Sequence, residues 1–514
     1  VGTITQHCGG RGLIIEGSST VIIGEQTPIL EPVVLTQAAP AQSPASVVTS
    51  KARTPAVPTP PTPPAPAPAA TTSAGQTSQG STTPRSTPTP KPELVLGLFF
   101  DGTDNNMLAD PPEKHTNVAK LWGLYNSETT NSFVRIPIYI QGVGTKAVYV
   151  AGGGVEKNTS VLGLAMGLGP YGADGRLKEA RQKLIKHLKD FISAYGGPPE
   201  TVIFDVFGFS RGAMLARHFV NMVSDGLPDL KCDPKEVRPV IQPCLRQTIK
   251  RIPQDPSDPT APAEVPALFP RLNAKVRVRF LGIFDSVGSF YMAGNADEGF
   301  VNPHLAADSA ELIYHPVARN EIRHYFPLTS ICPSIQSPPA NFVEEMFYGA
   351  HSDVGGGYDS QPERVLVLDE VEPPAISREY SSWNDRMRAK ARANGWTLEL
   401  RNGHAYFFEL RHTRPELSRV ALRAMHAKAA AQGVPLRKID SKDFVPADLE
   451  SLVARASGGD AIAEQQMAGQ FIHTSHNPFE PSNVPEENGK RRIFPNQPAK
   501  AIRVVSVQAA RKHP

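Results

Sequence analysis

A serine set between two glycines carries the clearest chemistry in the chain. In Thr201–Phe219, TVIFDVFGFSRGAMLARHF, the apolar run Val202–Phe207 has strand length. Met214, Leu215, His218 and Phe219 then recur at helical spacing. Between them, Gly208-Phe209-Ser210-Arg211-Gly212 fits a G-x-S-x-G nucleophile elbow. Such a turn strains the serine so that its hydroxyl stands clear of the sheet, and the glycines let strand and helix pass closely. The Arg211 amide, at a helix N-terminus, is placed to hold an oxyanion. The competing reading is a tight turn in which the serine only caps a helix.

A serine nucleophile needs a base, and the base needs an acid. Lys275–Phe284 reads as a strand ending at Asp285, and Phe342–Tyr348 as a strand ending in Gly349-Ala350-His351. The order Ser210, Asp285, His351 is that of α/β-hydrolases, with all three at strand C-termini on one sheet edge. Leu94–Phe100 is a further buried strand, and the loop after it offers Gly102 or Thr103 as a second oxyanion donor. An Asx-rich helix-capping turn is the alternative there. Asp205 lies inside the serine strand and reads as a buried, hydrogen-bonded carboxylate. Asp353 reads as shaping the His351 loop, and His218 as core. His473 and His476 remain rivals for the base. This chemistry calls for no metal and no cofactor.

The elements that position these residues occupy only part of the 514-residue chain. Residues 1–27 are glycine-rich, with short strands expected at Leu13–Ile15 and Val21–Ile23. Residues 28–92 hold sixteen of the fifty prolines, so this stretch is a polyproline II spacer rather than a core. Recognition by an SH3-type partner is the alternative use for it. The hydrolase domain is expected over 93–490, with a crossover helix at 177–195 feeding the serine strand. Residues 142–175 read as glycine-rich loops near the site mouth, and 225–270 as an insertion or lid. The excess at 286–345 and 359–470, with helices at Leu410–Ala430 and Ala447–Ala468, reads either as a lid or cap with an acyl-chain pocket or as a structural helical subdomain packed on the sheet. Residues 491–514 are left as a tail.

With 53 basic and 50 acidic residues, the charge points to neither nucleic acid nor an electrostatically held membrane. Four scattered cysteines, Cys8, Cys232, Cys244 and Cys332, form no disulfide framework and are expected reduced, with a Cys232–Cys244 pair within one loop as the alternative. No signal peptide or spanning segment is visible. Synthesis in the cytoplasm and export by a signal-less route are therefore expected. The chain opens on Val1 rather than methionine, so its natural start is expected upstream.

FFDGTDNN, VFGFSRGA, FDSVGS, ARNEIRHYF and GAHSDVGGGY, in this order, resemble the α/β-hydrolase family that contains the first class of type VI secretion lipase effectors. ALRAMHAKAAAQGVPL and HTSHNPF resemble its C-terminal features, so the likeness spans about 94–485. It implies a phospholipase A-type esterase whose Ser–Asp–His triad falls on Ser210, Asp285 and His351. It also implies delivery to the membrane or periplasm of a rival bacterium, and an immunity protein in kin. Asp104 stands where the family usually has glycine, which puts the shape of that loop in question. GGRGLIIEGSSTVIIGEQ resembles the β-repeats of PAAR-type spike-tip proteins, in which case a VgrG-like spike is the carrier. His7–Cys8 could be a remnant of that family's zinc site, but two residues do not make one. A small-molecule carboxylesterase and a non-catalytic spike adaptor are the competing readings.

Overall fold

The computed structural model describes residues 4–7, 10–13, 91–149, 155–159, 171–224, 274–289, 301–334, 337–371, 379–401, 404–477 and 483–498. The chain parts into two units, 1–15 with 90–514, and 16–89. The second unit, with most of the proline-rich stretch, lies outside the described residues, and so does 225–270.

In chain order the first elements are β1 (Ile4–His7) and β2 (Gly10–Leu13), paired antiparallel with His7 opposite Gly10. This hairpin precedes the one expected from the sequence. Of the two strands placed there, only Leu13 is described, at the end of β2. Next come β3 (Glu93–Phe100), α1 (Asn117–Leu124), β4 (Glu128–Thr129), β5 (Phe133–Ile140), β6 (Thr145–Tyr149) and β7 (Val155–Thr159). Then follow α2 (Ala173–Tyr195), β8 (Thr201–Phe209), α3 (Arg211–Ser224), β9 (Lys275–Phe284), β10 (Ile313–Ala318), β11 (Leu328–Pro333) and β12 (Phe342–Phe347). The chain continues through α4 (His351–Gly355), β13 (Glu363–Val371), α5 (Glu379–Asn394), β14 (Thr397–Arg401) and β15 (His404–Arg411). It finishes with α6 (Ser418–Ala431), α7 (Ala447–Ser457), α8 (Ala461–Gln470) and β16 (Ile493–Asn496).

Among the described residues seven strands form the main sheet, in the order β12-β10-β9-β8-β3-β5-β4. From β12 to β5 every neighbour is parallel, and β4 adds an antiparallel edge. Both faces are covered. Leu94, Leu96, Leu98 and Phe100 of β3 pack with Leu177, Leu184 and Leu188 of α2 and with Leu215 and Phe219 of α3. Phe99, Phe207, Phe280 and Phe284 turn the other way, towards Leu121 of α1 and Leu422 and Met425 of α6. A parallel sheet buried on both sides has no polar face, which is why its central strands, β3 and β8, read as nearly continuous apolar runs. The crossover α2 stops where the sequence says, at Gly196 in the left-handed conformation.

Elsewhere the structure departs from the sequence reading. The region 286–345 is not all cap, because β10 sits inside the main sheet between β9 and β12. The stretch 359–470 contains an antiparallel sheet, β13-β15-β14, as well as helices. Leu410, taken for the start of a helical stripe, lies in β15 and is exposed; the helix begins only at Ser418. The expected helix over 447–468 is two helices, parted at Gly458-Gly459 and restarted by Asp460, whose carboxylate accepts from the amides of Ile462 and Ala463. Residues 493–496, placed in the tail, pair in parallel with β11. Part of the glycine-rich 142–175 stretch is a β6–β7 hairpin. Cys332 is held in a disulfide, against the expectation of reduced thiols.

Candidate active site

The turn after β8 is built as the sequence requires. Ser210 has φ 58°, and among the described residues only Asp104 and Asp285 share a positive φ without being glycine. Such a conformation costs on the order of 1–3 kcal/mol and persists only where neighbours impose it. They do so here: the Ser210 amide donates to the Phe284 carbonyl at 3.1 Å, and the amides of Ala213 and Val287 donate to the Ser210 carbonyl at 3.1 and 3.4 Å. A Cβ on Gly208 would lie 2.7 Å from Ala213 Cα, and one on Gly212 would lie 2.3 Å from the Asp101 carbonyl oxygen. Both glycines are therefore demanded by close backbone approach rather than by flexibility.

Those bonds also bring Ser210 beside the end of β9, where Asp285 follows with φ 39°. The Asp285 carboxylate is buried and its acceptor capacity is filled. Oδ2 takes the Nδ1 proton of His351 at 2.5 Å, and Oδ1 takes the Ala318 amide at 2.9 Å. Arg491 forks onto the same group, Nη1 to Oδ1 at 2.6 Å and Nη2 to Oδ2 at 2.9 Å. Burial alone would raise this carboxyl, but the charges and hydrogen bonds of Arg491 and His351 outweigh it. They hold Asp285 well below the usual carboxylate range. An ionised Asp285 fixes the proton of His351 on Nδ1 and leaves Nε2 as the basic nitrogen. Burial lowers the imidazole's proton affinity, and Asp285 opposes that.

Further contacts lock the histidine. Phe209, next to the serine, packs on the ring of His351 at 4.6 Å between centroids, and Phe326 meets it edge-on at 5.1 Å. The His351 amide donates to Glu321 Oε2 at 3.2 Å. Glu321 is paired with Arg323 at 2.8 Å and accepts from the Ser475 hydroxyl at 3.0 Å. Burial raises the Glu321 carboxyl, but Arg323 overrides it and brings the group down to about 2. Among the described residues no hydrogen bond joins the Ser210 hydroxyl to His351. Such bonds are commonly long in unliganded sites and tighten around substrate.

The loop after β3 differs from expectation in one donor. The Gly102 amide is turned onto Asp101 Oδ1 at 2.8 Å, so of the two candidate oxyanion donors named there Thr103 is the one whose amide is not spent in this way. Asp101 also accepts from Thr116 at 2.6 Å and Tyr139 at 2.5 Å. Burial lifts Asp101 to about 6, against the pull of these hydrogen bonds. The Arg211 side chain ties the loop to the elbow, Nε to Thr103 Oγ1 at 2.8 Å. Asp104 takes the left-handed conformation, φ 61°, for which glycine is the usual residue and aspartate a tolerated one.

The other polar residues sort by their partners. Asp205 is buried and bonded to Arg279 and Tyr125. His218 is core, and its Nδ1 accepts the Asn302 amide at 2.9 Å. Asp353 does shape its loop: it accepts the Ala350 amide and also holds His473, Nδ1 to Oδ1 at 2.6 Å. His473 stacks on Tyr358 at 4.0 Å, and its Nε2 is buried without a partner among the described residues. His476 has no carboxylate bonded to either ring nitrogen among the described residues. Arg491 is the residue that sequence reasoning missed. It stands 206 positions from its partner, in a basic run with no distinguishing motif. Among the described residues no group of three or more His, Cys, Asp or Glu could hold a metal ion.

A mostly parallel sheet crossed by helices, with a serine elbow at the end of a central strand, is an α/β-hydrolase architecture. Within that class the sequence is more specific. The model of the type VI secretion Tle1-like phospholipase effectors, catalytic domain, matches residues 94–379, over half the chain. The chain belongs to this family. No curated protein sequence matches it. Solved structures similar to it include the following two. One is a Tle1 effector bound to the VgrG spike of the type 6 secretion system, at 19% identity and TM-score 0.48, over 79% of this chain and 94% of that one. The other is an uncharacterized protein from Pseudomonas aeruginosa, at 19% identity and TM-score 0.40, over 74% and 51%. Among the described residues no helix is long and apolar enough to cross a membrane.

Proposed function

We propose that this chain is a serine phospholipase of the A type, acting on membrane phospholipids of a target bacterium through Ser210, His351 and Asp285. The observation that carries the reading is the juxtaposition of three strand ends. Ser210 and Asp285 hold left-handed backbone conformations side by side, and Asp285 grips the Nδ1 side of His351 at 2.5 Å. Ser210 Oγ attacks the acyl carbonyl and His351 Nε2 takes its proton. Asp285 keeps the tautomer and offsets the imidazolium charge. The amides of Arg211 and Thr103 receive the oxyanion. Collapse of the adduct passes the proton to the lysolipid alkoxide, and water, deprotonated by His351, releases the fatty acid. Family membership supports phospholipid over small esters. The remaining partners belong to the same reading: a VgrG-like spike that carries the chain, with a PAAR-like N-terminal fragment, and an immunity protein that protects kin.

The test is fatty-acid release from phospholipid vesicles by the wild type, Ser210→Ala, His351→Ala and His473→Ala. Loss of the nucleophile should cost on the order of a millionfold in turnover. His351→Ala should be comparably dead, and His473→Ala should stay within about tenfold of wild type. Equal release by wild type and Ser210→Ala would end the reading. Cleavage of short esters without release from vesicles would make the chain a small-molecule esterase.

A further inference from the structure

We propose that Arg491 is a positioning residue for this reaction, forking onto Asp285 so that the acid is held for His351 while its charge is partly spent elsewhere. The inference rests on the serine-hydrolase reading above, and it concerns a residue outside the span that the family model matches. Its geometry is built rather than incidental. Both Arg491 nitrogens of the fork meet Asp285, at 2.6 and 2.9 Å, and Nε donates to the Phe326 carbonyl at 2.6 Å. The Asp285 side chain is fully buried and the Arg491 side chain is 7% exposed, so water does little to screen the pair. The backbone just beyond is fixed by β16 on β11 and by Asn496, whose side chain exchanges hydrogen bonds with the backbone of Leu305 at 2.9 Å each. Phe326 links the two ends, because its carbonyl holds Arg491 and its ring packs on His351.

Two consequences follow from this placement. A bidentate guanidinium fixes the carboxylate plane, which a lysine ammonium does not do. The fixed cation also reduces the negative potential at His351, which therefore stays neutral, and able to accept a proton, at lower pH. Among the described residues the charged groups around His351 are Asp285 beyond β9, Glu321 and Arg323 beyond β10, Asp353 on its own helix, and Arg491 before β16. Glu321 is matched by Arg323, and Asp353 by its bonds to the Ala350 amide and His473. Without Arg491, Asp285 has no bonded cation left among the described residues but the imidazolium, so His351 would hold its proton to higher pH.

The experiment follows the pH dependence of Ser210 labelling by a fluorophosphonate, and of short-ester kcat/KM, in the wild type, R491Q, R491K and S210A. R491Q should move the acid limb up by about one pH unit and lower kcat. R491K should leave the limb near wild type, because it keeps the charge, yet lose kcat at least several-fold, because it loses the fork. An acid limb in folded R491Q that coincides with wild type overturns the proposal. Undiminished kcat in R491K overturns it too, whether or not R491Q folds. A wild type that neither labels nor hydrolyses, like S210A, removes the serine-hydrolase reading and this inference with it.

Discussion

Gly212→Ala tests whether the elbow depends on close backbone packing. The added Cβ would lie 2.3 Å from the Asp101 carbonyl oxygen and 2.5 Å from that of Phe100, where real contacts of this kind essentially never fall below 3.0 Å. Both obstacles are backbone at the end of β3, so neither can rotate aside. The start of α3 must therefore retreat from β3 by about 0.7 Å, the difference between 2.3 and 3.0 Å. Forced overpacking of this kind costs about 1–3 kcal/mol. The shift also displaces the Arg211 amide, and with it Ser210, from the loop that carries Thr103. A misplacement near 1 Å costs about a hundredfold in rate. The expected outcome is a Tm lower by a few degrees and ester turnover lower by roughly 30- to 100-fold. Differential scanning calorimetry and a p-nitrophenyl ester assay on the same samples read both. A variant with wild-type Tm and wild-type kcat would refute the claim that this glycine is required by contact. Gly469, which would meet nothing within 4 Å, is the internal control: Gly469→Ala should leave both unchanged.

Asp285→Asn should lower kcat by about a thousand- to ten-thousandfold, and it also strips Arg491 of its counter-charge. Full activity would show that the acid lies elsewhere. Glu321 gives a pH prediction. Its folded carboxyl lies at about 2, below the ordinary 4.5. Its stabilising contribution is therefore complete above 4.5 and is lost as pH falls towards 2. Glu321→Gln should be less stable than wild type at pH 7 by on the order of 3 kcal/mol. The two should converge in urea titrations run near pH 2, and a constant gap across that window would contradict the assignment.

What the sequence disclosed follows from how each part is solvated. β3 and β8 were legible because central strands covered on both faces are almost wholly apolar, and β5 and β9 because each ends in an apolar stretch, Ile138–Ile140 and Phe280–Phe284. β10, IYHPVA, was not legible, because His315 and Pro316 interrupt the run. His315 is tolerated in the core because its Nδ1 meets Glu344 at 2.9 Å and its Nε2 accepts the Ser286 amide at 3.0 Å. The antiparallel β13-β15-β14 sheet carries aromatic pairs such as Phe407-Phe408, which a helical period also accommodates. In the candidate site, the residues on strand ends could be named because a strand end is a local signal. The fork of Arg491 on Asp285 and the inward turn of the Gly102 amide could not. Each depends on a partner chosen by folding, and no spacing in the chain encodes it.

The separation of Asp285 from Arg491 by 206 residues also orders events in time. A ribosome releases this chain from the N-terminus, and the sheet ends bearing Ser210, Asp285 and His351 emerge well before the guanidinium. At the usual 5–20 residues per second, the roughly 140 residues between His351 and Arg491 take about 7–28 s. Throughout that interval the nascent chain has Ser210, Asp285 and His351, the three residues of the proposed site, but not the cation that holds Asp285. A protein whose family cleaves phospholipid is made in a cell bounded by phospholipid. A chain truncated before residue 491 carries Ser210, Asp285 and His351 but lacks the guanidinium that forks onto Asp285.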